Sequence, residues 1–233
     1  ARFKRTAGGA RTTVAGDILV GCDGIHSTVR RQLYPREAGL LKEVGRRIQR
    51  WLCERMGLSW EEAQVLRRDY FVRYGTTLNG LLAERDVDAH DYLVYVHDIP
   101  IERYLDADPK LADMLSHIPL RRAIYTNATT DHAQRVLDVL GVRDCFERII
   151  SIEDVGLQNK LHREAYERAL ALLDIEGPRC VMVEDSVRNL RAAKALGMAT
   201  ILVTSDGAIE EAAGPDEGVD FVINSVLEVE QVV

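Results

Sequence analysis

Apolar residues in the second half of the chain fall into short blocks, each followed by a stripe at helical spacing. Blocks suited to buried strands lie at 122–126, 148–152, 180–184, 200–203 and 221–223. Between them, Ala133, Val136, Leu137 and Leu140 share one face of a helix predicted over 131–140 and closed by Gly141. Further helices are predicted over 163–173 and 187–196, the last closed by Gly197. Alternating strands and helices predict an α/β fold, a doubly wound parallel sheet covered on both faces. Ligands of such sheets sit beyond the carboxyl ends of the strands.

The first half has another rhythm. Over 39–112, Leu40, Leu41, Val44, Ile48, Trp51 and Leu52 recur at helical spacing, and Gly57 ends that helix. Ser59-Trp60-Glu61-Glu62 is a capping box that opens the next one. This stretch is predicted to be an all-helical insert. Residues 1–38 form a β-rich opening, with a turn at Gly8-Gly9, a short strand at 12–14, a buried strand at Ile18-Leu19-Val20 and a short helix at 28–33. The expected organisation is therefore an opening segment at 1–38 that supplies the first core strand, a helical cap at 39–112, and the α/β core at 113–233.

Charge and cysteine content narrow the function classes. The 30 basic residues are outnumbered by 37 acidic ones, and no basic stripe is evident, which argues against nucleic acid as a main partner. Arg46, Arg47 and Arg50 read as a solvated helix face. Cys22, Cys53, Cys145 and Cys180 contain no C-x-x-C pair. Neither zinc nor a disulfide framework is expected, and reduced thiols suit a cytoplasmic protein. No apolar run approaches the ~18 residues of a membrane span. Residues 1–5 lack the apolar core of a signal peptide, and the alanine at position 1 suits a trimmed chain.

Candidate chemistry clusters at predicted strand ends. Thr126 and Asn127 end one strand ahead of a helix, where a hydroxyl and backbone N–H groups can hold phosphate oxygens. Capping of that helix by Thr129 or Thr130 is the competing reading of the segment. Lys160 follows the 148–152 strand; it either neutralises a phosphate or is a solvated loop lysine. Glu184-Asp185 directly follows Val181-Met182-Val183, so two carboxylates stand at a strand end. Oxygen ligands of this kind suit Mg²⁺ bridged to a substrate phosphate, and capping by Asp185 or Ser186 is the alternative.

In this order the three pieces resemble the motifs of the haloacid dehalogenase superfamily of phosphohydrolases. Thr126 matches its second motif, Lys160 its third and Glu184-Asp185 its fourth, and the insert at 39–112 stands where that family carries a helical cap. Leu33-Tyr34-Pro35, Tyr74-Gly75-Thr76-Thr77-Leu78, His97-Asp98-Ile99-Pro100 and Val183-Glu184-Asp185-Ser186-Val187-Arg188-Asn189-Leu190 look like the pyrimidine 5′-nucleotidase branch. This resemblance covers about residues 33–233; Leu161 departs from it, standing where the family usually has proline. It implies a Rossmann-like core with a cap, and Mg²⁺-dependent hydrolysis of a small phosphorylated metabolite, a pyrimidine nucleoside 5′-monophosphate. Thr126, Asn127 and Lys160 would hold the phosphate. Asp185, helped by Glu184, would hold the metal. Tyr74 and Tyr92 in the cap would serve packing or base stacking.

The family's first motif is where the match breaks. There an apolar strand leads into Asp-x-Asp, whose first aspartate attacks phosphorus and whose second is the general acid/base. Counting back from Leu33-Tyr34-Pro35 puts Thr28 and Arg30 at those positions; aligning by strand puts Gly21 and Asp23 there. Asp86-Val87-Asp88 and Asp106-Ala107-Asp108 follow no apolar strand and read as helix-start acids. A shift of two residues keeps side chains on one face of a strand, so Asp23 is the acid available as a stand-in catalytic group and metal ligand. Weak or absent turnover is expected from such a misplacement.

Residues 16–31, Gly16-Asp17-Ile18-Leu19-Val20-Gly21-Cys22-Asp23-Gly24 through Arg31, resemble instead the Asp-Gly motif of FAD-dependent aromatic-ring monooxygenases. About 35 residues without a Gly-x-Gly-x-x-Gly loop are too few to bury a flavin. A chimera joined near Leu33-Tyr34-Pro35 follows from the two resemblances. A non-catalytic phosphate- or nucleotide-binding protein and a monooxygenase fragment stand as the alternative function classes.

Overall fold

A computed structural model describes residues 16–21, 35–204 and 218–233. The strand expected at 12–14, the helix at 28–33 and Asp23 lie outside them. The described strands form one parallel sheet in the order β3-β2-β1-β4-β5-β6. They are β1 (Ile18–Gly21), β2 (Arg121–Tyr125), β3 (Arg148–Ile150), β4 (Cys180–Glu184), β5 (Ala199–Val203) and β6 (Phe221–Ile223). The helices are α1 (Pro35–Met56), α2 (Trp60–Tyr74), α3 (Thr77–Glu84), α4 (Ala89–His97), α5 (Pro109–His117), α6 (Thr130–Leu140), α7 (Arg163–Leu173) and α8 (Val187–Ala195).

β1 is the centre of this sheet. Ile18 pairs with Arg121 on one side and Cys180 on the other, and Gly21 with Ile124 and Val183. Its alternation separates the two faces. Leu19 packs in a cluster with Ile124, Val183, Ile201, α5 and α6, while Ile18 and Val20 pack with Tyr125, Met182, α7 and α8. A one-residue slip would exchange these sets, so burial on both faces fixes the register. Cys180 opens β4 as a buried thiol, which burial pushes up to about 11.

The helical region between β1 and β2 splits between two cores. Trp51, Leu52, Ala63, Tyr70, Leu78, Leu81, Tyr92 and Val96 form a cluster of their own, joined by Ile152 from the sheet side. Leu40, Val44, Ile99, Ile101, Leu105 and Leu111 pack instead with the sheet. The apolar face of α5 (Leu111, Met114, Leu115) is buried in the sheet-side core, as are Leu40 and Val44 of α1. The predicted capping box opens α2, with Ser59 Oγ accepting from Glu62 N and Glu62 Oε2 accepting from Ser59 N. Asp88 and Asp108 cap α4 and α5, which accounts for both downstream Asp-x-Asp sequences. Among the described residues no helix is long and apolar enough to cross a membrane.

Where the helical region returns to the sheet, Arg135 of α6 donates to the carbonyls of His97 (2.7 Å) and Ile99 (3.0 Å). The His97 and His132 rings stack with centroids 4.6 Å apart. Burial, and after it the neighbouring His132, hold the His97 imidazole well below its ordinary range. The folded protein therefore keeps His97 neutral where an unfolded chain takes up a proton, at about pH 6.5 and below.

Two outcomes are expected. Leu19→Ala should destabilise the protein by about 2–5 kcal/mol in chemical denaturation, because it empties the middle of the sheet-side core. A depressed folded pKa on a base makes stability fall as pH drops through the unfolded value. The unfolding free energy should decrease by about 1 kcal/mol between pH 7.5 and 5.5 through this group. His97→Leu should flatten that slope; an unchanged slope would assign the effect elsewhere.

Candidate functional site

β1 stops level with Ile124 and Val183, while its neighbours run further. The chain order reverses here, since β2 and β3 extend to one side of β1 and β4 to β6 to the other. The polar groups singled out in the sequence converge on this edge. Thr126 follows β2, extends its ladder by donating to the Ile150 carbonyl (2.9 Å), and accepts from Ala128 N on its hydroxyl (2.9 Å). Thr129, not Thr126, caps α6, accepting from His132 N. Thr126 is completely buried, so the two threonines have separate tasks.

Lys160 is not a solvated loop residue: it is 3% exposed. Its backbone N–H donates to Asn127 Oδ1 (3.2 Å), which ties the loop after β3 to the end of β2. Its ammonium donates to Glu184 Oε2 (3.2 Å) at the end of β4, and lies 5.3 Å from the Tyr125 ring centroid. Glu184, also 3% exposed, accepts Asp185 N–H on its other oxygen (3.1 Å). A polar chain of Asn127, Lys160 and Glu184 thus crosses from β2 to β4 over the carboxyl end of β1. Two ions this deeply buried persist because they face each other in low dielectric.

The carboxylates divide the work. Both oxygens of Glu184 are engaged, one by Lys160 and one by a backbone N–H, so its place is to hold the ammonium. Asp185, half-buried at the strand end, is the better donor for a hard cation. The capping alternative finds no support at Ser186, which makes no side-chain capping bond to α8. Among the described residues no group of three or more His, Cys, Asp or Glu side chains is gathered for a metal. The third carboxylate offered by the sequence, Asp23, is outside them. Among the described residues, a Cβ at Gly21 would meet Ile124 Cδ1 at 3.6 Å, an ordinary van der Waals contact.

One contributor, Asn159, was not foreseen. Asn159 is buried beside Lys160, and its contacts run to the helical region rather than to the sheet. Nothing in a loop sequence separates such an asparagine from a solvated one. Tyr92 is buried in the helical cluster edge-on to Trp51, and Tyr74 donates its hydroxyl to Glu84 (2.6 Å).

Residues 25–197 match the family model of haloacid dehalogenase-like hydrolases, beginning four residues past β1. Among curated proteins, the chain is 24% identical over 163 residues to Phosphate metabolism protein 8 of Saccharomyces cerevisiae, covering 63% of this chain and 50% of that protein. It is 25% identical over 119 residues to Validoxylamine A 7'-phosphate phosphatase of Streptomyces hygroscopicus subsp. limoneus, covering 51% and 55%. The chain spans about half the length of the curated relatives it matches. Among solved structures, it superposes on CbbY from Rhodobacter sphaeroides in complex with phosphate with a TM-score of 0.62 at 19% identity, covering 92% of this chain and 96% of that one. An HAD phosphatase from Thermococcus onnurineus gives a TM-score of 0.56 at 20% identity, covering 94% and 97%. At these identities the structures speak for the fold.

The buried pair predicts a double-mutant result. Glu184→Leu, which takes away the carboxylate facing the Lys160 ammonium, should cost about 3–5 kcal/mol in urea denaturation. Adding Lys160→Met should recover most of that loss, because two apolar side chains of similar volume replace both ions. A double variant as unstable as Glu184→Leu would remove the pair as the reason.

Proposed function

The chain belongs to the haloacid dehalogenase-like hydrolase family, and on that premise we propose that it acts on a small phosphomonoester with Mg²⁺, at low turnover. The observation that carries this reading is Lys160, buried at the sheet's switch point, its ammonium bonded to Glu184 and its backbone N–H to Asn127. A site for a dianionic phosphate needs such a charge, fixed in place and shielded from water. The sequence likeness to Validoxylamine A 7'-phosphate phosphatase supports the phosphomonoester class. The motif pattern running from Tyr74 to Leu78 and from Val183 to Leu190 favours a pyrimidine nucleoside 5′-monophosphate.

In this reading Thr126, Asn127 and Lys160 hold the phosphate oxygens. Glu184 faces the Lys160 side-chain nitrogen and fixes its direction. Asp185 is the chain's ligand to Mg²⁺, which when bound would neutralise phosphate charge. Asp23 is the acid nearest in sequence to the end of β1, two positions beyond Gly21. It would attack phosphorus or transfer a proton from a longer reach than an aspartate at the strand end. A displacement of ~1 Å at the reacting group costs about 100-fold in rate, which is why turnover is expected to be low. A second reading, a phosphate binder without turnover, is favoured by one observation: glycine occupies the strand end where the family pattern has its nucleophile.

Phosphate release from nucleoside monophosphates with Mg²⁺ tests both. The wild type should release phosphate slowly and Asp23→Asn should release none; equal release by the two removes Asp23 from the chemistry. Gly21→Asp restores the Asp-x-Asp spacing ahead of Asp23, and should raise the rate by at least about 100-fold. No release from wild type or Gly21→Asp, from protein that melts cooperatively, would favour the binder, and calorimetry with inorganic phosphate would then show binding that Lys160→Ala abolishes.

A further inference from the structure

The loop that carries Lys160 is held from the helical side as well as from the sheet. Asn159, 1% exposed, donates both amide hydrogens to the turn between α2 and α3, one to the Tyr74 carbonyl (2.6 Å) and one to Asn79 Oδ1 (2.7 Å). Its own oxygen accepts Leu161 N–H (3.0 Å). Asn79 answers by donating to the Leu157 carbonyl (2.8 Å), and its oxygen also receives the Thr76 hydroxyl (2.7 Å). Residues 157, 159 and 161, which bracket Lys160, are therefore each tied in one closed hydrogen-bonded group. Gly75 lets the two surfaces meet this closely: its φ is +82°, and a Cβ there would lie 2.4 Å from Leu161 Cδ1. A second strap comes from the segment that carries Asp185, where Arg188 donates to the Val72 carbonyl (3.2 Å).

We infer that Asn79 and Asn159 form a clasp through which the seating of the cap turn sets the position of Lys160, making Asn79 a positioning residue for a site it does not touch. An amide pair suits this task. Both partners donate and accept, so the pair closes in one relative placement, and its burial penalises any half-open arrangement that leaves an amide unmatched. Opening of the cap would then release the Lys160 loop, and a ligand that needs the ammonium would draw the cap shut. That last step rests on the reading of Lys160 as a phosphate holder; the clasp itself rests on the contacts above.

Hydrogen–deuterium exchange on the full chain separates the two. In Asn79→Ala, exchange over 157–161 should speed up about tenfold while 121–125 and 180–184 stay as in the wild type. Asn79→Asp, which keeps the oxygen that Asn159 donates to and loses the donor to Leu157, should fall between; it carries the comparison alone if the alanine variant does not fold. Inorganic phosphate should slow exchange over 157–161 in the wild type and do so less in Asn79→Ala. Unchanged exchange over 157–161 in both variants, or a rise shared equally by the sheet, overturns the clasp. If phosphate protects nothing in the wild type, the phosphate reading of Lys160 fails, and exchange without phosphate still decides the clasp.

Discussion

Within the sheet, β2 and β4 are joined through the four residues of β1, and the site's geometry depends on that junction. Thr126 and Asn127 belong to one half of the sheet, Glu184 and Asp185 to the other. The hydrogen bonds of Ile18–Gly21 to both sides bring the two strand ends into line, and the apolar contacts of Ile18, Leu19 and Val20 on alternate faces lock the register. Outside the strand, Asp17 continues the junction: its N–H donates to the Arg179 carbonyl, its own carbonyl accepts from Arg121, and its carboxylate meets the Arg179 guanidinium. This piece of backbone comes from the segment that least resembles the family, and the family match begins only after it. A parallel sheet asks of its central strand mainly that it be apolar on both faces and of the right length, so unrelated residues can serve.

Chemistry is less forgiving than packing. Packing constrains the identity of β1 loosely, because Ile, Leu and Val fill space in interchangeable ways. A nucleophile has no such latitude. Beyond the end of β1, a chain of contacts runs from Asn127 to Lys160 to Glu184. Keeping two ions buried is costly unless each is matched, so this cluster holds a polarity suited to an anionic ligand.

Much of this was legible in the sequence for physical reasons. Strand blocks such as Val181-Met182-Val183 are buried on both sides and therefore uniformly apolar, and α6 shows one apolar face closed by Gly141, in the left-handed conformation glycine favours. Lys160 and Glu184 were found because their positions relative to strands are informative; that they would face each other at 3.2 Å was not written in either residue. That α5 would pack on the sheet-side core was hidden because its helical periodicity is the same whichever surface it meets. Asn79 and Asn159 were hidden for a different reason: buried amides leave no periodic trace, and their value lies in a partner some eighty positions away.

The placement of β1 also bears on how the chain reaches its structure. Its residues come early in the sequence, yet their partners in β2 and β4 come late, with Ile18 pairing to both Arg121 and Cys180. Until β4 has been made, the sheet cannot close, and loop-closure entropy must be met before those contacts return anything. During that interval the inner edges of β2 and β4 offer unpaired backbone to any passing strand. A helical cap that forms a local core of its own, from Trp51 to Val96, can assemble in the meantime. The sheet thus rests on the chain's longest-range pairings, while the helical unit between β1 and β2 rests on shorter-range ones.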